Sequence, residues 1–152
     1  MLTKKFLGIF ILMTLTKILA AQTIVGAWKT ASSVVVNTDG SKEELTVMLL
    51  KQWPCMANLQ TIFESNGTQH MKSEKKCGPF DYNKLPASTW KMKGNTISIT
   101  NTGMPTPLGN TSVYTVAFSD KTVVFTHVYT QEEQSKLHNK KVKEDIITYH
   151  RL

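Results

Sequence analysis

Between residues 24 and 151 the chain is built from short runs in which apolar and polar side chains alternate, punctuated by turn signals every eight to twelve residues. A period of two places successive side chains on opposite faces of a strand, and repeated short runs of this kind are the signature of an all-β domain. The runs fall at about 24–36, 43–51, 58–64, 68–75 and 88–93, then around Ile97 and Ile99, and at about 111–118, 122–129 and 145–151. The breaks between them are chemically explicit. Asn37 to Gly40 is a turn sequence, Asn66-Gly67 is the pair preferred in two-residue hairpins, and Gly94-Asn95 and Ser119 to Lys121 close two further hairpins. The run at 68–75 is polar on both faces and reads as an edge or a solvent-rich stretch.

A sheet of eight or nine such strands has to hide its edges, and closure into a barrel does this within one domain. The expected fold is therefore a single up-and-down antiparallel β-barrel, with a flat sandwich as the alternative. The segment after the eighth run, beginning Thr130-Gln-Glu-Glu133, has the spacing of a capping box, and Glu132 stands four residues before Lys136. It reads either as one short helix before the last strand or as a long polar hairpin loop.

The 152 residues suit one domain. The beginning of the sequence has a different character: two lysines, an apolar run from Phe6 to Leu15, and small residues at Ala20-Ala21. This is the tripartite pattern of a secretory signal, shorter than the roughly 20 apolar residues of a membrane span. We expect residues 1–21 to be a signal peptide, the alternative being an uncleaved anchor, and residues 22–152 to be the domain, periplasmic or extracellular after cleavage. The assignment also alters the charge argument. The 18 Lys and Arg exceed the 11 Asp and Glu by 7, which suggests nucleic acid, but Lys4, Lys5 and Lys17 belong to the leader. The remainder lies in polar stretches without interleaved aromatic residues, and no nucleic-acid partner is expected. In an exported chain the two cysteines, Cys55 and Cys77, read as one disulfide, with two unpaired thiols as the alternative.

Gly26-Ala27-Trp28, at the start of the first strand, resembles the Gly-x-Trp signature of the lipocalins. Cys55 with Leu59-Gln-Thr-Ile-Phe63, Cys77, and the block from Thr89-Trp90 through Gly94-Asn95 to Ile99 are similar to small lipocalin-like domains exported by Bacteroidetes-type bacteria. The resemblance implies an up-and-down barrel with an internal cavity and no established enzymatic activity. It also implies that Trp28 seals the closed end with a late basic residue, Arg151, stacked over it. Both are structural roles.

Alternation places Phe63, Trp90, Met92, Tyr114, Phe125 and Tyr149 inward, together with Ile97, Ile99, Val116 and Phe118. The first six are the candidate ligand contacts, although for each of them core packing is the simpler reading. His70, His127, His138 and His150 read as surface or rim residues, so no metal site and no cofactor are expected. No nucleophile, phosphate-loop or dinucleotide motif is present, so no catalytic residue is assigned. The expected function is a binding module for a small apolar or amphipathic molecule. The competing class is a protein-interaction or protease-inhibitor barrel with a filled core.

Overall fold

The computed structural model describes residues 23–103, 106–138 and 141–152; the expected signal peptide lies outside them. The strands are β1 (Gly26–Asn37), β2 (Lys42–Glu44), β3 (Gln60–Phe63), β4 (Thr68–Lys72), β5 (Ser88–Lys93), β6 (Thr96–Thr100), β7 (Thr111–Ser119), β8 (Thr122–Val128) and β9 (Val142–Arg151). All neighbours are antiparallel. The order runs β2-β1-β3-β4-β5-β6-β7-β8-β9, and β1 also pairs with β9. That last pairing closes an eight-stranded barrel, with β2 as an extra strand on the outer half of β1. Closure leaves β4, expected at an edge, between β3 and β5. Its Gln69 is buried, because an inward position in a closed barrel is enclosed whatever its polarity.

Cross-strand register sets the interior. Trp28 is opposite Thr61 and Arg151, Phe63 opposite Gln69, Trp90 opposite Ile99, and Phe125 opposite Val116 and Ile147. The buried centre comprises Ile24, Trp28, Phe63, Ile97, Val116, Val123 and Phe125. Phe63 packs edge-on against Trp90 at 5.9 Å and tilted against Phe125 at 6.1 Å between ring centroids. Phe125 in turn meets Tyr114 at 5.7 Å and Tyr149 at 5.2 Å. One aromatic column therefore fills the closed half of the barrel.

The closed end is sealed by Trp28. Its Nε1–H donates to the Ile24 carbonyl at 2.7 Å, and the Arg151 guanidinium carbon lies 4.5 Å from the ring centroid. Arg151 also donates to the Thr23 carbonyl, tying the segment before β1 to the last strand. At the Asn66-Gly67 turn, Gly67 has φ of 84°, and a Cβ there would stand 3.3 Å from the Trp90 carbonyl. Glycine is therefore required on two counts.

The expected strand at 43–51 is corrected by the structure. Only Lys42–Glu44 is extended; Leu45–Gln52 is helix α1, followed by a short 3-10 turn at Pro54–Asn58. The reason lies in β1. Residue Ala31 is bulged, since Thr30 pairs with Tyr149 and Ser32 with the next residue, Thr148. On the Ala31 side of Val34 the β1 edge no longer pairs with β2, while Leu45-Thr-Val-Met-Leu-Leu50 has no alternation to hold it as a strand and is rich in helix formers. The segment after β8 is a helix, α2 (Gln131–Lys136). Its Thr130 Oγ1 accepts from the Glu133 backbone N–H at 3.2 Å, and Glu133 Oε2 accepts from the Thr130 N–H at 2.8 Å.

Cys55 and Cys77 form a disulfide spanning 22 residues, which ties the turn before β3 to the long loop after β4. By loop-closure entropy it contributes about 3 kcal/mol. Replacing Trp28 by Ala is expected to cost about 3–5 kcal/mol through loss of a buried aromatic, whereas Arg151→Met should cost only about 1 kcal/mol. Urea unfolding of both variants checks the ratio; equal losses would place the seal in the arginine and not in the indole.

Candidate functional site

The mismatch between β1 and its neighbours creates an opening in the wall. β3 covers β1 from Gly26 to Lys29 and β2 covers it from Val34 to Val36, leaving Thr30 to Ser33 with no strand on that side. α1 and the following 3-10 turn bridge the gap. Behind them lies a cavity of about 450 Å³. Its barrel wall is Thr30, Ala31, Ser33, Ile147 and Tyr149; its outer wall is Thr46, Leu49, Leu50, Met56 and Ala57; Lys29 completes the lining. The helix is half-buried on this side through Leu45, Thr46, Leu49 and Leu50, while Val47 and Met48 are 52% and 57% exposed on the other.

Of the six residues expected to contact a ligand, only Tyr149 lines this cavity. Phe63 and Phe125 are buried in the closed half of the barrel, and Trp90, Met92 and Tyr114 pack against that core. Trp90 Nε1–H is also committed, donating to the Thr68 carbonyl at 3.0 Å. Tyr149 links the two regions, with its ring on Phe125 and one side on the cavity. Sequence reasoning missed Leu49, Leu50, Met56 and Ala57. The available signal was the largely apolar run at Leu45–Leu50, which lacks the apolar–polar alternation seen in strands such as β5 and β6.

Beside the cavity, the inward faces of β7, β8 and β9 carry Tyr114, His127 and Asp145, with Tyr129 and Glu133 above them. His127 Nδ1 lies 2.7 Å from the Val113 carbonyl, an acceptor only, so the proton sits on Nδ1. Nε2 then faces Glu133 Oε1 at 3.4 Å, an ion-pair distance without a hydrogen bond. The side chain is 14% exposed, which puts His127 on the inner wall, at the rim and not at the surface among the two positions expected for it. His150 is on the outer face beside Thr122. Tyr129 donates its hydroxyl to Asp145 Oδ2. Among the described residues no group of three or more His, Cys, Asp or Glu side chains is placed to hold a metal ion.

A domain of unknown function, DUF5004, matches residues 13–140. The chain belongs to the DUF5004 family. No curated protein matches it. The DUF5004 barrel contains, among the described residues, no helix long and apolar enough to cross a membrane.

The tyrosines of this DUF5004 chain have a common electrostatic setting. Burial raises the pKa of Tyr82, Tyr114, Tyr129 and Tyr149 above the usual value near 10; for Tyr129 the hydrogen bond to Asp145 adds to it, and for Tyr114 the Asp145 charge does. A group whose folded pKa is raised contributes stability that is complete below its unfolded pKa and fades above it. All of this contribution is therefore present at neutral pH and is lost as pH climbs past about 10. In an alkaline titration, tyrosinate absorbance near 295 nm should rise only together with loss of the near-ultraviolet circular dichroism. Ionisation of Tyr114, Tyr129 or Tyr149 in a protein with intact dichroism would refute their burial.

Proposed function

We propose that the protein is an exported, non-catalytic, lipocalin-like module that binds a small apolar or amphipathic molecule at the mouth of its barrel, between β1, β9 and α1. The observation that carries this reading is the cavity behind α1. Its volume of about 450 Å³ falls within the range of small-molecule sites, and most of its wall is apolar. The aromatic column closes the other half of the barrel, which leaves the space behind α1 as the opening into its interior. The Cys55–Cys77 disulfide supports an oxidising compartment, and with it export. The competing reading, an interaction or protease-inhibitor barrel, requires a filled core and gives the cavity no role.

Titration with the neutral fluorescent probe N-phenyl-1-naphthylamine tests the proposal. The wild-type protein should bind it with an affinity on the order of micromolar. Leu50→Trp, which projects an indole into the cavity, should reduce binding at least about tenfold while the far-ultraviolet dichroism stays that of a barrel. Absence of probe binding to wild-type protein, combined with native mass spectra of host-derived protein that show no bound small molecule, would overturn the proposal.

A further inference from the structure

The His127 side chain has one ring nitrogen committed and one left over. Its Nδ1–H donates to the Val113 carbonyl at 2.7 Å, so the neutral ring presents Nε2 as an acceptor. Nε2 is buried and has no hydrogen-bond partner. What it faces is a second acceptor. Glu133 Oε1 stands 3.4 Å away, farther than the roughly 2.8 Å of a charge-assisted hydrogen bond. The other elements around the ring bring acidic or neutral groups. From β7 comes Tyr114, at 5.9 Å between ring centroids, and Tyr129, just past β8, stands edge-on at 4.4 Å. From β9 comes Asp145, the cross-strand partner of His127, whose carboxylate accepts from the Tyr129 hydroxyl. Lys143 of the same strand is exposed and joins no ion pair among the described residues, and Lys136 of α2 is paired with Glu132. Leu108, Thr111 and Ser112 complete the lining of the small cavity, of about 30 Å³, between these groups.

Buried polar groups in folded proteins are nearly always paired, and an orphan calls for an explanation. Two acceptors face to face share one complement, a proton between them. Glu133 is prepared for it. Burial raises its pKa, but the bonds from the Thr130 N–H and hydroxyl, together with the His127 charge, outweigh this and hold it below the usual carboxylate range. The carboxylate therefore stays ionised in mild acid. It also has two duties. Oε2 accepts from the Thr130 N–H at 2.8 Å and from the Thr130 hydroxyl at 3.0 Å, which builds the start of α2, while Oε1 faces the barrel. The other side-chain hydrogen bonds of α2 among the described residues stay within the helix: Ser135 donates to the Glu132 carbonyl and Lys136 to the Glu132 carboxylate. We infer that His127 and Glu133 form a proton-binding site that latches α2 to the barrel rim. With the imidazole protonated, Nε2–H donates to Oε1 and ties the helix to β8. With the imidazole neutral, that tie is absent. Its contribution to stability is present in mild acid and lost as pH rises. The latch lies apart from the cavity behind α1 and does not depend on what that cavity binds.

The experiment follows the His127 Cε1–H resonance of the purified protein by NMR from about pH 8 to about pH 5, assigned by its absence in His127→Gln. The resonance is expected to titrate within that range. In Glu133→Gln the midpoint should fall by about one pH unit, because the facing charge is gone. Glutamine serves a capping box as glutamate does, so α2 keeps its start. Its amide also donates to the neutral ring, which replaces the switched contact with one that needs no added proton. Melting temperatures supply a second readout. Between about pH 8 and about pH 5.5, the difference between wild type and Glu133→Gln should move by about 4 °C in favour of wild type. A His127 ring that stays neutral down to the acid end of the titration would overturn the latch. So would a midpoint and a melting-temperature difference that Glu133→Gln leaves unmoved, the result expected if a bridging water fills the gap at every pH.

Discussion

Closure of the sheet by β1 and β9 is the constraint on which the remainder of the molecule depends. β1 is twelve residues long and β9 ten, and together they form the longest ladder in the barrel, from Trp28 opposite Arg151 to Asn37 opposite Val142. Without it, both strands would expose a long row of unpaired backbone groups. The ladder also brings the two ends of the domain together. Arg151, near the last residue, covers an indole near the first and reaches back to the Thr23 carbonyl. The Gly26 backbone has φ of 134°, and a Cβ there would sit 3.7 Å from the Arg151 guanidinium, so the chain turns into β1 just where the seal is made.

The same ladder creates the cavity. A strand as long as β1 cannot be matched on its free side by β3, which has four residues, or by β2, which has three. The bulge at Ala31 falls between them. An interval of barrel wall therefore has to be supplied by something other than a strand, and α1 supplies it, with five apolar residues among its eight. The interior is graded accordingly. Aromatic side chains crowd the closed half, whereas the mouth carries Ser33, His127 and Asp145 alongside the apolar face of the helix. Close packing and an open cavity coexist because they occupy different levels of one barrel.

This division explains what was legible in the sequence. Strand alternation, the Asn66-Gly67 hairpin and the Thr130–Glu133 capping box are local signals, encoded within a few residues, and they correspond to elements of the structure. Trp28 and Arg151 were legible as a pair through the lipocalin resemblance. The site was less legible because its geometry is non-local. Nothing near Leu45 states that β1, fourteen residues earlier, is bulged at Ala31 and refuses a longer partner. Alternation placed Tyr149 inward, and it does line the cavity. The same alternation placed Phe63, Trp90 and Phe125 inward, but could not distinguish the filled level of the barrel from the open one. His127 was legible only as a surface or rim residue, because no neighbouring motif accompanies it; its 2.7 Å contact with the Val113 carbonyl and its approach to Glu133 come from β7 and α2, which lie outside its own strand.

An eight-residue helix is too short to be stable on its own, and α1 has no side-chain hydrogen bond at its N-cap. None of its residues is fully buried, so its position depends on half-buried contacts with β1 and the turn that follows. Any molecule that fills the space behind Leu49 and Leu50 supplies contacts to the helix as well as occupying the barrel. Binding and ordering of the wall are then one event, and the stabilisation a ligand confers follows its free concentration relative to its dissociation constant. The disulfide limits how far the wall can yield. Cys55 anchors the turn immediately after α1 to the loop beyond β4, so α1 is held between that cross-link and the short β2 ladder. A wall of low intrinsic stability with two fixed ends can adapt to the shape of an apolar chain without releasing it into solvent.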